Sequence, residues 1–176
     1  MMIYYFTPFD VNKNIGKTHN AHCELVANSE DWICIRDGDT MFLNSDYGRI
    51  IEKAIAEHGD NYDAFTCYTN RIGVPELRYK NVLFDEQDLN IHIDIANYIK
   101  EDTTITDVRV CAGYFMLFKK SMWEQVGGFN ENSIRFDIEF SSKLQRIGRI
   151  NSLYVLHLYR WGKANPSYYI KHLVTN

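Results

Sequence analysis

Over its first seventy residues the chain alternates short apolar runs with segments of helical period. Ile3 to Phe6 is a β-rich run stopped by Thr7-Pro8-Phe9-Asp10. Gly16 precedes Lys17 to Ala27, where Ala21 and Leu25 fit the apolar side of a helix. Trp32 to Arg36 predicts a second strand, closed by the turn Asp37-Gly38-Asp39, and Met41-Phe42-Leu43 then resumes the apolar character. Ser45-Asp46 predicts the cap of a helix through His58, with Ile50, Ile51, Ala54 and Ile55 on its buried face and Gly59 as its stop. Asp63 to Thr69 is strand-like. Strand alternating with helix predicts an α/β sheet containing parallel pairs.

Beyond Arg71 the pattern is looser. The run DEQDLNIHIDIANYIK fits a helix, or a strand followed by a helix. Val108 to Lys119 is the longest apolar segment and reads as a buried strand pair, or as one strand bent at Gly113. Lys120 to Val126 predicts a short helix ended by Gly127-Gly128, Asp137 to Arg146 a helix ended by Gly148, and Leu153 to Leu158 a last strand. From Tyr159 the tail mixes aromatic and cationic residues. No repeat, low-complexity segment or linker divides the chain, so its 176 residues predict one domain with a real core.

Composition narrows the function classes. A net charge of −4, with no run of Lys or Arg, argues against nucleic acid polymers and against a polybasic membrane patch. The chain has no apolar run of transmembrane length and no basic stretch at its start like that of a signal peptide, which predicts a cytoplasmic protein without a transmembrane segment. Cys23, Cys34, Cys67 and Cys111 are widely spaced and mostly inside apolar runs, so they read as small buried hydrophobes, neither a disulfide framework nor a zinc site.

The turn DGD is the chemical signal. Two carboxylates at the mouth of a buried strand repel each other unless a cation or hydrogen bonds compensate. Residues two apart in an extended stretch point the same way, so Asp37 and Asp39 can face one ligand. Hard divalent cations such as Mn²⁺ or Mg²⁺ take oxygen ligands, and a carboxylate pair shared with a diphosphate suits them.

Asn14 to Leu43 (NIGKTHNAHCELVANSEDWICIRDGDTMFL) resembles the nucleotide-binding half of GT-A glycosyltransferases, particularly the inverting family-two group, in which a helix opening with N-x-G precedes an apolar strand ending in D-x-D. Gly127-Gly128-Phe129-Asn130-Glu131 is similar to that group's G-G-F-D-E turn, and FDIEFSSKLQRIGRI, from Phe136, to the helix that follows it. His157 stands where a late histidine completes the metal shell in many such enzymes. The chain departs from the pattern in lacking a second βα unit before the N-x-G helix, and in carrying Phe136-Asp137 where the group has an acidic pair.

The resemblance implies a minimal single-domain GT-A fold, a mixed sheet flanked by helices. Roughly residues 1–70 would form the nucleotide- and metal-binding half and 105–160 the acceptor half. It implies metal-dependent transfer of a sugar from a nucleotide-sugar, a UDP-sugar in this group, to a glycan or other hydroxyl acceptor, with inversion. Asp39 would ligate the metal, and Asp37 would hold the donor's ribose or contact the metal through water. His157 would be a further metal ligand, and Asp137 the general base, with Glu131 and Glu139 as alternative carboxylates. Thr7, Pro8 and Phe9 would cradle the base, and Gly38 belongs to the donor-binding turn. Lys17 and Asn20 would reach the base or phosphates; Arg160 and Lys163 would close over the pyrophosphate. Tyr114, Trp123 and Phe129 are the aromatics available to an acceptor sugar.

Two rival classes fit parts of the sequence. DGDT is also similar to the D-x-D-x-T signature of haloacid-dehalogenase-type phosphatases, although that signature normally ends the first strand and its glycine stands elsewhere. A non-catalytic nucleotide-sugar-binding module fits the missing carboxylate.

Overall fold

The computed structural model describes residues 1–12, 14–84, 86 and 88–158. Within them lies one seven-stranded mixed sheet with five α-helices around it. In chain order the elements are β1 (Ile3–Phe6), α1 (Ile15–Glu24), β2 (Trp32–Ile35), β3 (Thr40–Phe42), α2 (Tyr47–His58), β4 (Ala64–Thr69), α3 (Leu89–Ile99), β5 (Ile105–Val108), β6 (Met116–Lys119), α4 (Lys120–Gln125), α5 (Phe136–Ser141) and β7 (Ile147–His157). Two 3₁₀ turns, Pro75–Leu77 and Tyr79–Asn81, shape the connection between β4 and α3. No helix among the described residues is long and apolar enough to cross a membrane.

The strands run β1-β2-β6-β4-β7-β3, and β5 also pairs with β7. β1 is parallel to β2 and β4 parallel to β7, while β6 is antiparallel to both β2 and β4. Four strands therefore point one way, and their carboxyl ends open at one edge of the sheet. The residues that follow those ends are Thr7, the Asp37–Asp39 turn and Asn70, with His157 itself closing β7. β6 begins at this same edge, just after Gly113.

Alternation of side chains explains the central strands. On β2, Trp32 and Cys34 join the cluster under α2, while Ile33 and Ile35 join the cluster under α1, α4 and α5. On β6, Leu117 faces the first cluster, and Met116 and Phe118 the second. A strand covered on both faces reads as an unbroken apolar run, as WICI and MLFK nearly do. A third cluster packs α3 on the far end of β7 through Ala96, Ile99, Tyr154 and Leu156. All four cysteines are free and buried, as their apolar settings implied.

Several elements differ from the sequence-based expectations. α1 starts earlier, because the Asn14 side chain caps it by accepting from the Lys17 amide. Asp46 occupies the N-cap position of α2 without any side-chain capping bond. Of the 108–119 segment only Met116–Lys119 forms a strand of its own, β6, while Val108 closes β5, which pairs with β7. Of the two readings for the stretch before Lys100 the single helix holds, as α3, capped by the Asp88 side chain. α5 stops at Ser141, and Gly148 lies inside β7 rather than after a helix.

Gly148 is a packing glycine: a Cβ there would meet Ile105 Cγ2 at 2.6 Å and the Phe65 and Tyr62 rings at 3.0 Å. Its extended backbone is ordinary, and the constraint comes from the neighbouring side chains. Gly148→Ala is expected to lower stability by about 1–3 kcal/mol through overpacking. Urea unfolding checks this, and unchanged stability would show that the Ile105 side chain gives way freely.

Candidate functional site

Main-chain bonds bring the Asp37–Asp39 turn onto the end of β7. Thr40 pairs with His157 in the β3–β7 ladder. The Leu158 amide donates to the Asp39 carbonyl at 2.7 Å. The turn is closed internally by Thr40 Oγ1, which donates to the Asp37 carbonyl at 2.7 Å, and by Arg36 Nη1, which donates to the Thr40 carbonyl at 3.0 Å.

Asp37, Asp39 and His157 consequently converge, each offering a ligand atom, with all three atoms within 4.8 Å of one another. His157 Nε2 lies 3.5 Å from Asp39 Oδ1; the His157 side chain is 7% exposed and that of Asp39 46%. The cluster thus has a buried imidazole floor and one carboxylate open to solvent. His157 Nδ1 donates to the Arg71 carbonyl at 2.9 Å, which fixes the ring and turns Nε2 toward the carboxylates. The buried Tyr114 ring stacks on the imidazole at 6.0 Å, and its hydroxyl donates to the Cys67 carbonyl.

The electrostatics follow from this crowding. Burial pushes the Asp37 carboxyl up to about 6; the charges of Asp39 and Asp137 add to the rise, and His157 opposes it. Asp39 is held below its ordinary value, chiefly by its hydrogen bond with His157. For His157, burial works to lower the value, but the hydrogen bond and charge of Asp39 outweigh it, and the net direction is upward.

Asp137 stands beside this cluster through Gly113. Its Oδ2 accepts from the Gly113 amide at 3.1 Å and its Oδ1 from the Ile138 amide at 2.8 Å. A Cβ on Gly113 would lie 3.4 Å from Asp37 Oδ1 and 3.4 Å from the Phe136 ring. Gly113 therefore lets two carboxylates from distant parts of the chain flank one backbone position. Glu139 is turned away, accepting from Asn130 Nδ2 at 2.7 Å and Ser133 Oγ at 2.6 Å.

The remaining residues singled out in the sequence fall into different settings. Thr7 borders the turn, because a Cβ on Gly38 would meet its Cγ2 at 3.8 Å, and Phe9 is 81% exposed two residues on. Lys17 is exposed on α1.

Asn20 is committed inside the fold. Its Oδ1 accepts from Trp123 Nε1 at 3.1 Å and the Phe129 amide at 2.9 Å; its Nδ2 donates to the Phe129 carbonyl and to Glu131 Oε1, both at 3.0 Å. Three of these bonds clamp the Gly127–Glu131 loop onto α1, and the fourth ties α4 to it; in the loop Gly127 and Gly128 take φ of +77° and +70°. Phe129 and Tyr114 are core residues, and Trp123 packs half-buried against the core. Arg160 and Lys163 lie outside the described residues.

Asn70, Arg71 and Gly113 were not singled out as site residues. Gly113 had signalled only a bend, and nothing local marks an asparagine or a main-chain carbonyl as a partner of a histidine 87 or 86 positions away.

No protein-family model matches the chain, and no curated protein does either.

The raised Asp37 value sets a pH dependence. The folded chain binds this proton more tightly than an ordinary aspartate with its value of 3.8, so the group costs stability progressively as pH rises from about 4 to about 6. Asp37→Asn removes that cost. Its stability gain over the wild type at pH 8 is expected to exceed that at pH 4 by about 2 kcal/mol, measured by urea unfolding of the metal-free protein. Equal gains at both values would mean that Asp37 is not held in its raised state.

Proposed function

We propose that the chain is a minimal GT-A glycosyltransferase, transferring a sugar from a nucleotide-sugar, in this reading a UDP-sugar, to a hydroxyl acceptor with inversion. The observation that carries the proposal is the convergence of Asp37, Asp39 and His157 at the carboxyl ends of the sheet's parallel strands, where open α/β sheets bind their ligands. A carboxylate pair in which burial, together with its neighbour's charge, raises one member is a site suited to positive charge.

The donor set fits a divalent cation: two carboxylates and an imidazole whose other nitrogen is already held by a carbonyl. A nitrogen ligand favours Mn²⁺ over Mg²⁺, which prefers oxygen alone. When bound, such an ion neutralises the charge gathering on the departing diphosphate. Asp39 and His157 would hold it, and Asp37 would contact it or the donor's ribose. Thr7 and the exposed Phe9 at the end of β1 would border the base.

Asp137 is the base in this reading. Its two oxygens each accept one backbone N–H, which orients the carboxylate and leaves further lone pairs for an acceptor hydroxyl. The acceptor oxygen attacks the anomeric carbon while its proton passes to Asp137, and the nucleoside diphosphate leaves with the electrons of the broken bond.

A thermal-shift series with UDP, GDP, CMP and simple phosphate esters, each with and without Mn²⁺, Mg²⁺ or Zn²⁺, tests the donor side. A ligand at about a hundred times its dissociation constant adds roughly 2.7 kcal/mol, or about 5–10 °C in a chain of this size. One nucleoside diphosphate is expected to act, only with metal, and to lose its effect in Asp39→Asn. Stabilisation by phosphate esters alone, with their hydrolysis, would point to a phosphatase instead. For the chemistry, Asp137→Asn is expected to keep the nucleotide shift while transfer falls by about 10²–10⁴-fold. A variant that keeps full transfer would remove Asp137 from the reaction.

A further inference from the structure

We infer that Asn70 is the positioning residue for His157, an inference that rests on the metal-binding reading of the Asp37–Asp39–His157 cluster. Asn70 immediately follows β4 and is fully buried. Its Oδ1 accepts from the His157 amide at 2.8 Å, and its Nδ2 donates to the His157 carbonyl at 3.2 Å. The side chain therefore does what a neighbouring strand would do, reading both the donor and the acceptor of one residue's main chain. It carries the contact between the two chain segments past the last paired residues, Thr69 and Val155.

The same amide is itself held. Thr69 Oγ1 donates to Oδ1 at 3.2 Å, and Nδ2 also reaches the Phe84 carbonyl at 3.4 Å. The Phe84 amide in turn donates to the Asn70 carbonyl at 3.0 Å, which closes the base of the loop from Arg71 to Leu83. Arg71, the next residue, supplies the carbonyl that holds the ring at Nδ1. One dipeptide thus fixes both the backbone and the imidazole of His157, and with them the direction in which Nε2 faces Asp39.

Only a carboxamide satisfies this arrangement. A carboxylate would set an acceptor against the His157 carbonyl, and an alanine would remove the acceptor that the buried His157 amide uses here. Positioning of this kind is paid back in affinity, because a ligand already aimed at the ion need not be ordered when the ion arrives. Partners that orient metal-binding histidines typically account for 10–100-fold in affinity.

The test is isothermal titration of Mn²⁺ into the wild type, Asn70→Ala, Asn70→Ser and a stability control, Ile51→Ala, which opens a hole in the core cluster beneath α2. The expected result is a Mn²⁺ affinity 10–100-fold weaker in Asn70→Ala, a smaller loss in Asn70→Ser, and no loss in Ile51→Ala. If Asn70→Ala does not fold, the comparison of Asn70→Ser with Ile51→Ala decides the question alone. Wild-type affinity in the Asn70 variants, or an equal loss in the control, would overturn the inference. A wild type that binds no Mn²⁺ would overturn it together with the metal reading. A wild type that binds Mn²⁺ but no nucleotide would sink only the transferase proposal, with Asn70 still judged by its variants.

Discussion

β2 is buried on both faces, and at its carboxyl end the chain must carry two carboxylates one residue apart out of the sheet. Like charges so placed need a compensating group, and burial makes the need sharper. The fold answers by bending the chain straight back, so that Thr40 pairs with His157 and the Leu158 amide caps the Asp39 carbonyl. The first strands and the last are joined at this point, although they lie at opposite ends of the described sequence. The imidazole that partners Asp39 is the same group that completes the cluster.

Compensation is incomplete, and it is unequal between the two aspartates. Asp39, half-open to water and bonded to His157, is held in its ionised form. Asp37, deeper and next to Asp137 across Gly113, is not. Two carboxylates of one tripeptide thus differ in affinity for protons, and the deeper one is the one that a nearby positive charge would favour more. Groups with values displaced in this way concentrate at binding sites, because packing for stability alone would remove them. Two nearby carboxamides are fully used by contrast: Asn20 commits both ends of its amide to the Phe129 loop, and Asn70 both ends of its own to His157.

Much of the frame was legible in the sequence because it rests on local pattern. The β-rich runs at Ile3 and Trp32, the amphipathic stretch before His58 and the Gly127-Gly128 stop needed only period and turn chemistry. β3 was missed because three residues after two aspartates make no run. The first half of β7 was missed because Arg149, Asn151 and Ser152 break its apolar pattern. Those polar side chains are buried in the sheet interior, Asn151 by pairing with Thr104 and Thr106 across the β5 side, and Arg149 by reaching Asn151 and the Glu76 carbonyl. In the sequence Gly148 reads as a helix stop, whereas its reason in the fold is the Ile105 side chain. At the site, spacing singled out Asp37 and Asp39, and family order suggested His157. Asn70 and Gly113 act through contacts between distant segments, and no local signal carries such information.

The register of β7 on β4 jumps between Cys67 and Tyr68, from Ile150 to Tyr154, so that β7 takes up three residues that β4 does not match. A strand advances about 3.3 Å per residue. Were those residues paired in step, His157 would overrun the edge of the sheet by about 10 Å and stand clear of both aspartates. The irregular stretch works as a length regulator set within the sheet, far from the cluster it serves. The spacing between Ile150 and His157 is therefore under a constraint of count as well as of identity. A single inserted or deleted residue there would move the histidine by a full strand step of about 3.3 Å along the sheet.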